Sequence, residues 1–109
     1  MTEFNEYQDF IYGFAVYPHK DYGDKEALSY CALGLTGEAG EYAEKIKKYL
    51  RDGTFDKQAM LKELGDVLWY LTRSANELGF NLNEVAQMNY EKLKDRQQRN
   101  VLAGSGDNR

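Results

Sequence analysis

The stretch Gly34 to Asp66, GLTGEAGEYAEKIKKYLRDGTFDKQAMLKELGD, decides how the rest of the chain is read. It carries two acidic pairs, Glu38 with Glu41 and Glu63 with Asp66, each at i, i+3 spacing. Side chains three apart on an α-helix share a face, about 5–6 Å apart at Cβ, so each helix presents two carboxylates together. Arg51-Asp52-Gly53 reads as a turn between them. Helices running antiparallel through that turn bring the four carboxylates into one cluster. Such crowding of negative charge is costly unless cations neutralise it, and hard oxygen donors suit a divalent ion. The spacing therefore predicts a divalent-metal site on a helical hairpin.

Apolar periodicity supports the hairpin. Asp24 is a fitting N-cap for a helix reaching to about Arg51, with Leu28, Cys31, Leu35, Ala39, Tyr42, Ile46 and Leu50 as its stripe. Gly34, Glu38, Glu41 and Lys45 fall along one edge of that stripe. Gly34, Gly37 and Gly40 each cost up to about 1 kcal/mol relative to alanine inside a helix. They predict close backbone approach or room for a ligand, against the alternative of a break into two shorter helices. The next helix starts at Thr54 or Asp56, and its stripe is Leu61, Leu64, Leu68, Leu71, Ala75 and Leu78. Both helices are expected to turn these stripes to the core and to hold the acidic pairs on a half-buried edge.

Shorter helices flank the hairpin. Thr2 is placed to cap a first helix over residues 3–16, with Phe4, Tyr7, Phe10, Ile11 and Phe14 apolar, before Pro18 stops it. The turn over residues 17–23 holds the single histidine, His19, which reads as a solvated side chain. After Gly79 at a C′ position, Asn81 with Glu84 forms a capping box, and Phe80 with Val85 a hydrophobic staple, for a last helix over about 82–100. Its polar side carries Asn89, Lys92, Arg96 and Arg99, a cationic edge able to face the acidic cluster. The pattern is all-α and four-helix bundle-like: one domain over residues 1–103, then a flexible tail over 104–109. Trp69 and several tyrosines lie off the stripes, which predicts a homo-oligomer that buries them.

Composition bounds the function classes. At 109 residues and 12.6 kDa the chain is one small domain. It has no run of ~18 apolar residues and no basic-then-apolar start, so the expectation is a cytoplasmic protein with no membrane partner. A single cysteine, Cys31, excludes an internal disulfide. A net charge of −4 offers no basic field to hold nucleic acid.

An isolated Glu-x-x-Glu is ordinarily a solvated helix face, and a non-catalytic helical interaction module with solvated acidic edges is the alternative to a metal site. A ferritin-like redox centre would want Glu-x-x-His pairs, and His19 lies in no helical pattern. The whole constellation resembles the MazG-like, all-α nucleoside triphosphate pyrophosphohydrolases. Glu38-x-x-Glu41 is followed after 21 residues by Glu63-x-x-Asp66, and GLTGEAGE, KELGDVLWYL and NYEKLKDR agree in wording, over Leu33 to about Arg96. The closing RNVLAGSGDNR is similar to the tails of small stand-alone members, phage-type ones included. Where some members carry a further acidic residue just before the motif, this chain has Gly37. The resemblance implies a homodimer or dimer of dimers. It implies that Glu38, Glu41, Glu63 and Asp66 hold Mg²⁺, with Mn²⁺ a substitute, and carry the catalysis. It further implies that Asn89, Lys92 and Arg96, with Lys45, bind a nucleoside triphosphate cut between its α- and β-phosphates.

Overall fold

A computed structural model describes residues 3–100 together with Gly104 and Gly106. Four helices make up its regular structure: α1 (Phe4–Tyr12), α2 (Lys25–Asp52), α3 (Lys57–Glu77) and α4 (Leu82–Gln98). No strand occurs among the described residues, as an all-α pattern requires.

Capping chemistry sets the helix ends. The Asp24 carboxylate accepts from the Ala27 amide and Asp56 from Ala59, so each long helix starts on an aspartate. α2 runs unbroken through its three glycines and ends at Gly53, whose φ of 77° is the left-handed C-cap conformation. α4 opens on the full Asn81–Glu84 capping box. α1 is shorter than expected and ends at Tyr12, capped by Gly13, so Ala15 and Tyr17 leave the helix and enter the core. Glu3 stands at its N-cap without a side-chain bond. Thr2, residues 101–103 at the end of the expected domain, and residues 105 and 107–109 of the expected tail lie outside the described residues.

The core is small: Ala15, Tyr17, Ala27 and Cys31, with Trp69 packed against it. Trp69 therefore sits half inside its own chain, not in an outward patch. Gln8 ties α1 to the far end of the hairpin. Its amide nitrogen donates to Asn76 Oδ1 at 2.7 Å, and its oxygen accepts from the Leu82 amide at 2.8 Å.

The leucine stripe of α3 departs from its expected place. Met60, Arg73 and Glu77 are buried, and Glu63, Val67 and Tyr70 half-buried, so this row faces α2. Of the expected stripe, Leu61, Leu64, Leu71 and Leu78 stay exposed, Leu78 at 62%, while Leu68 is half-buried and Ala75 buried. Adjacent helical residues point about 100° apart. Turning the row of Glu63 and Tyr70 toward α2 thus turns most of the leucine row outward. On α2 the stripe holds in its middle, where Cys31 is buried and Leu35, Tyr42 and Ile46 are half-buried, but Leu50 is left 83% exposed.

A buried ionic knot fastens the loop over residues 17–23 to the end of α3. Arg73 is fully buried. Its Nε donates to the Tyr17 hydroxyl at 3.0 Å, and its Nη2 donates to Asp21 at 2.7 Å and to Glu77 at 3.4 Å. Glu77 also accepts from the Tyr17 hydroxyl and from the amides of Asp21 and Gly23. Burial alone would raise Glu77, but these donors and the Arg73 charge hold its carboxyl below the usual range. His19 and Asp21 have φ of 59° and 69°, conformations that side-chain-bearing residues rarely adopt, and the bonds to Asp21 hold that turn in place.

Candidate metal centre

The antiparallel packing of α2 on α3 sets Glu38 against Glu63 and Asp66. One ligand oxygen from each lies within 4.8 Å of the other two. Glu38 and Glu63 are half-buried and Asp66 is exposed, so the group opens to solvent on one side. Burial, then the charge of Asp66, a hydrogen bond with Glu63 and the charges of Glu63 and Glu41 push the Glu38 carboxyl above its usual range. Burial is the larger cause, and the crowding of like charges adds to it. Lys45 brings a cation to the group, its Nζ standing 4.0 Å from Glu63 Oε1.

Such a set of hard carboxylate oxygens fits a divalent cation of the Mg²⁺ or Mn²⁺ type, which takes one or two carboxylates and completes its shell with water and substrate. The convergence of three carboxylate oxygens within 4.8 Å is the observation in favour, because a cation there would offset the repulsion among them. A cleft of about 280 Å³ adjoins the group, lined by Glu38, Asp66, Trp69 and Tyr70. From α1, Tyr7 stands near enough to Asp66 for that charge, after burial, to raise its hydroxyl.

The residues expected in the site are not all brought together. Glu38, Glu63 and Asp66 converge, and Lys45 reaches them. Glu41 is exposed and outside the three, although its charge is felt at Glu38. Asn89 and Lys92 line a different cleft, of about 500 Å³, with Ala75, Leu78, Phe80, Val85 and Met88. Ala75 lies nine residues beyond Asp66 on α3, about 14 Å along the helix axis. The cationic edge of α4 therefore does not face the cluster through this cleft. Arg96 is buried, with Nη2 donating to the Gly106 carbonyl, and Arg99 pairs with Asp95 one turn back.

Sequence reading missed Arg73, Glu77, Asp21 and Tyr17 as a unit. Arg73 and Glu77 are spaced i, i+4, like any exposed helical ion pair. The signal within reach was their place at the end of α3, beside a turn rich in Asp and Gly. Tyr7 was read only as an apolar position.

The MazG nucleotide pyrophosphohydrolase domain model matches residues 27–101, a span that takes in nearly all of α2 and the whole of α3 and α4. Over 101 residues the chain is 48% identical to the Gene 37 protein of Mycobacterium phage L5, which covers 87% of this chain and 89% of that protein. No solved structure matches. The acidic hairpin is thus accompanied by likeness along most of the sequence, and the chain belongs to the MazG nucleotide pyrophosphohydrolase family.

Proposed function

We propose that this protein is a divalent-metal-dependent nucleoside triphosphate pyrophosphohydrolase, cutting between the α- and β-phosphates to give a nucleoside monophosphate and pyrophosphate. The convergence of Glu38, Glu63 and Asp66 carries the reading. These three would hold Mg²⁺, which when bound supplies charge neutralisation for the phosphates and orients a water. Without a cation, a net negative chain with an acidic cleft would repel a triphosphate.

The chain's own groups have separate tasks. Glu38 and Glu63 come from opposite helices, so the hairpin fixes their separation. Lys45 holds Glu63 and adds one positive charge at the phosphate end. As water adds to phosphorus, the bridging P–O bond breaks and pyrophosphate leaves with its electron pair. The water's proton passes to a carboxylate free of the metal. Glu41, one turn beyond Glu38 and outside the converging three, stands in that role. Asn89, Lys92 and Arg96 remain candidates for substrate binding only where a second copy carries them to the site.

A second copy is also the reading for the outward leucines of α3. Leu61, Leu64, Leu71 and Leu78 together form an apolar surface of the kind that marks an interface. We take the working form to be a homodimer or dimer of dimers acting in the cytoplasm. Sedimentation showing a fully active monomer at micromolar concentration would count against this.

A panel of ribo- and deoxyribonucleoside triphosphates with Mg²⁺, scored separately for pyrophosphate and orthophosphate, tests the function. Pyrophosphate release supports it. Orthophosphate alone, or no release from any of the panel, contradicts it.

A further inference from the structure

The cleft beside the carboxylates has two chemically different walls. The carboxylates Glu38 and Asp66 are one, and the aromatic side chains Trp69 and Tyr70 are the other. Trp69 is the single tryptophan of the chain. It packs against the core of Ala15, Tyr17, Ala27 and Cys31. It also meets the Tyr70 ring edge-on, with centroids 5.0 Å apart and planes at 74°. Braced by the core and by Tyr70, the indole is a rigid apolar wall one helical turn from Asp66.

Tyr70 lines the cleft and also packs on α2. Its ring lies directly on Gly34, where any Cβ would overlap the ring atoms Cε1 and Cδ1. A side chain at position 34 would drive that ring off α2. The close approach that the helical glycines called for is met at Gly34. Gly37 and Gly40 have nothing within 4 Å of an added Cβ, so no contact explains them.

We infer that Trp69 is the platform on which the aromatic base of a nucleotide stacks while its phosphates lie toward Glu38 and Asp66. The inference rests on the pyrophosphohydrolase reading of the acidic cluster. Every base has a π-face, and base-on-aromatic stacking tolerates any of them. Among the described residues the cleft lining has no side-chain amide, and its side-chain polar groups besides the proposed metal ligands reduce to the Tyr70 hydroxyl and the Trp69 indole N–H. This wall therefore binds nucleobases as a class and discriminates weakly among them.

Because Trp69 has no other indole beside it in the sequence, its fluorescence reports on this wall without background. The full chain with Mg²⁺ is titrated with a nucleoside triphosphate bearing a methylene group between Pα and Pβ, and in parallel with inorganic tripolyphosphate. Saturable quenching by the nucleotide analogue, with little response to tripolyphosphate, is expected. Equal responses, or no response to an analogue that calorimetry shows to be bound, overturn the inference.

Trp69→Leu should raise KM about tenfold or more, with kcat changed only a few-fold. Trp69→Phe should recover most of the loss, and the response of Tm to Mg²⁺ should persist in both. A variant with unchanged KM overturns the platform. If Trp69→Leu fails to fold, the wild-type titration and Trp69→Phe decide. An enzyme that releases pyrophosphate while Trp69 stays silent overturns this inference and leaves the proposed function standing. A chain that neither binds nor hydrolyses any nucleotide overturns both.

Discussion

α3 carries a charge cluster toward each end, and the two are built on opposite plans. Toward the C-terminal end, Arg73, Glu77, Asp21 and Tyr17 are joined by direct hydrogen bonds around one cation, and Glu77 is held ionised. In the N-terminal half, Glu38, Glu63 and Asp66 converge with Lys45 4.0 Å from Glu63, and Glu38 is pushed toward its protonated form, by burial first and then by its acidic neighbours. A buried cluster with its own counter-charges holds structure together. An open cluster short of positive charge is the kind that a cation from solution would complete, which is the role proposed for it above.

The largest expected effect comes from unbalancing the closed cluster. Arg73→Met should cost roughly 3–5 kcal/mol in a urea melt, because Glu77 is then buried without its cation. A loss under about 1 kcal/mol would mean that the knot contributes little to stability.

Unbalancing the open cluster should do the reverse. Glu38→Gln, Glu63→Gln and Asp66→Asn should each cut turnover by roughly 100-fold or more, since even groups behind the metal ligands are worth 10–100-fold. None should lower stability in metal-free buffer, because each removes one of several crowded like charges. Glu41→Gln separates two roles. It should lose roughly 100-fold in turnover, the lower end for a general base, while keeping the stabilisation by Mg²⁺. Loss of that stabilisation would make Glu41 a metal ligand.

The smallest effect concerns the loop between α1 and α2. His19 bonds Asp24 through Nδ1 at 2.8 Å and stands 3.1 Å from Glu26 through Nε2, and its pKa is raised first by the bond to Asp24. A folded-state pKa above the unfolded one means that this stabilisation is complete below the ordinary histidine range and is lost as pH rises past it. Tm should therefore fall slightly as pH climbs through and just above that range, and His19→Gln should flatten the slope. An unaltered slope in His19→Gln would show that the contact has no part in stability.

Much of this was legible in the residues. Helix ends could be read because caps are local: Asp24, Asp56 and the Asn81–Glu84 box act within one turn of themselves. Three of the four acidic residues could be paired because helical spacing and one short turn fix their relation. The facing of α3 could not. Its leucine row and its Glu63–Tyr70 row differ by about 100° of rotation, and the most regular stripe was taken for the inner one. What selects the other row is the fit of Tyr70 on Gly34 and of Arg73 under Tyr17, contacts between residues 36 and 56 positions apart in sequence. Nor could the place of α4 be read, because Asn89 and Lys92 look the same on an edge facing carboxylates as on the rim of an apolar cleft.

The most direct test of the open cluster is a thermal melt of the full chain with and without Mg²⁺, set beside the double variant Glu38→Gln/Asp66→Asn. Ligand at one hundred times its dissociation constant stabilises by about 2.7 kcal/mol, so the wild-type Tm should rise saturably by several degrees. The double variant should melt at one temperature whether or not Mg²⁺ is present. A wild-type Tm indifferent to Mg²⁺, or an equal rise in the double variant, would contradict the assignment of these carboxylates to a metal site.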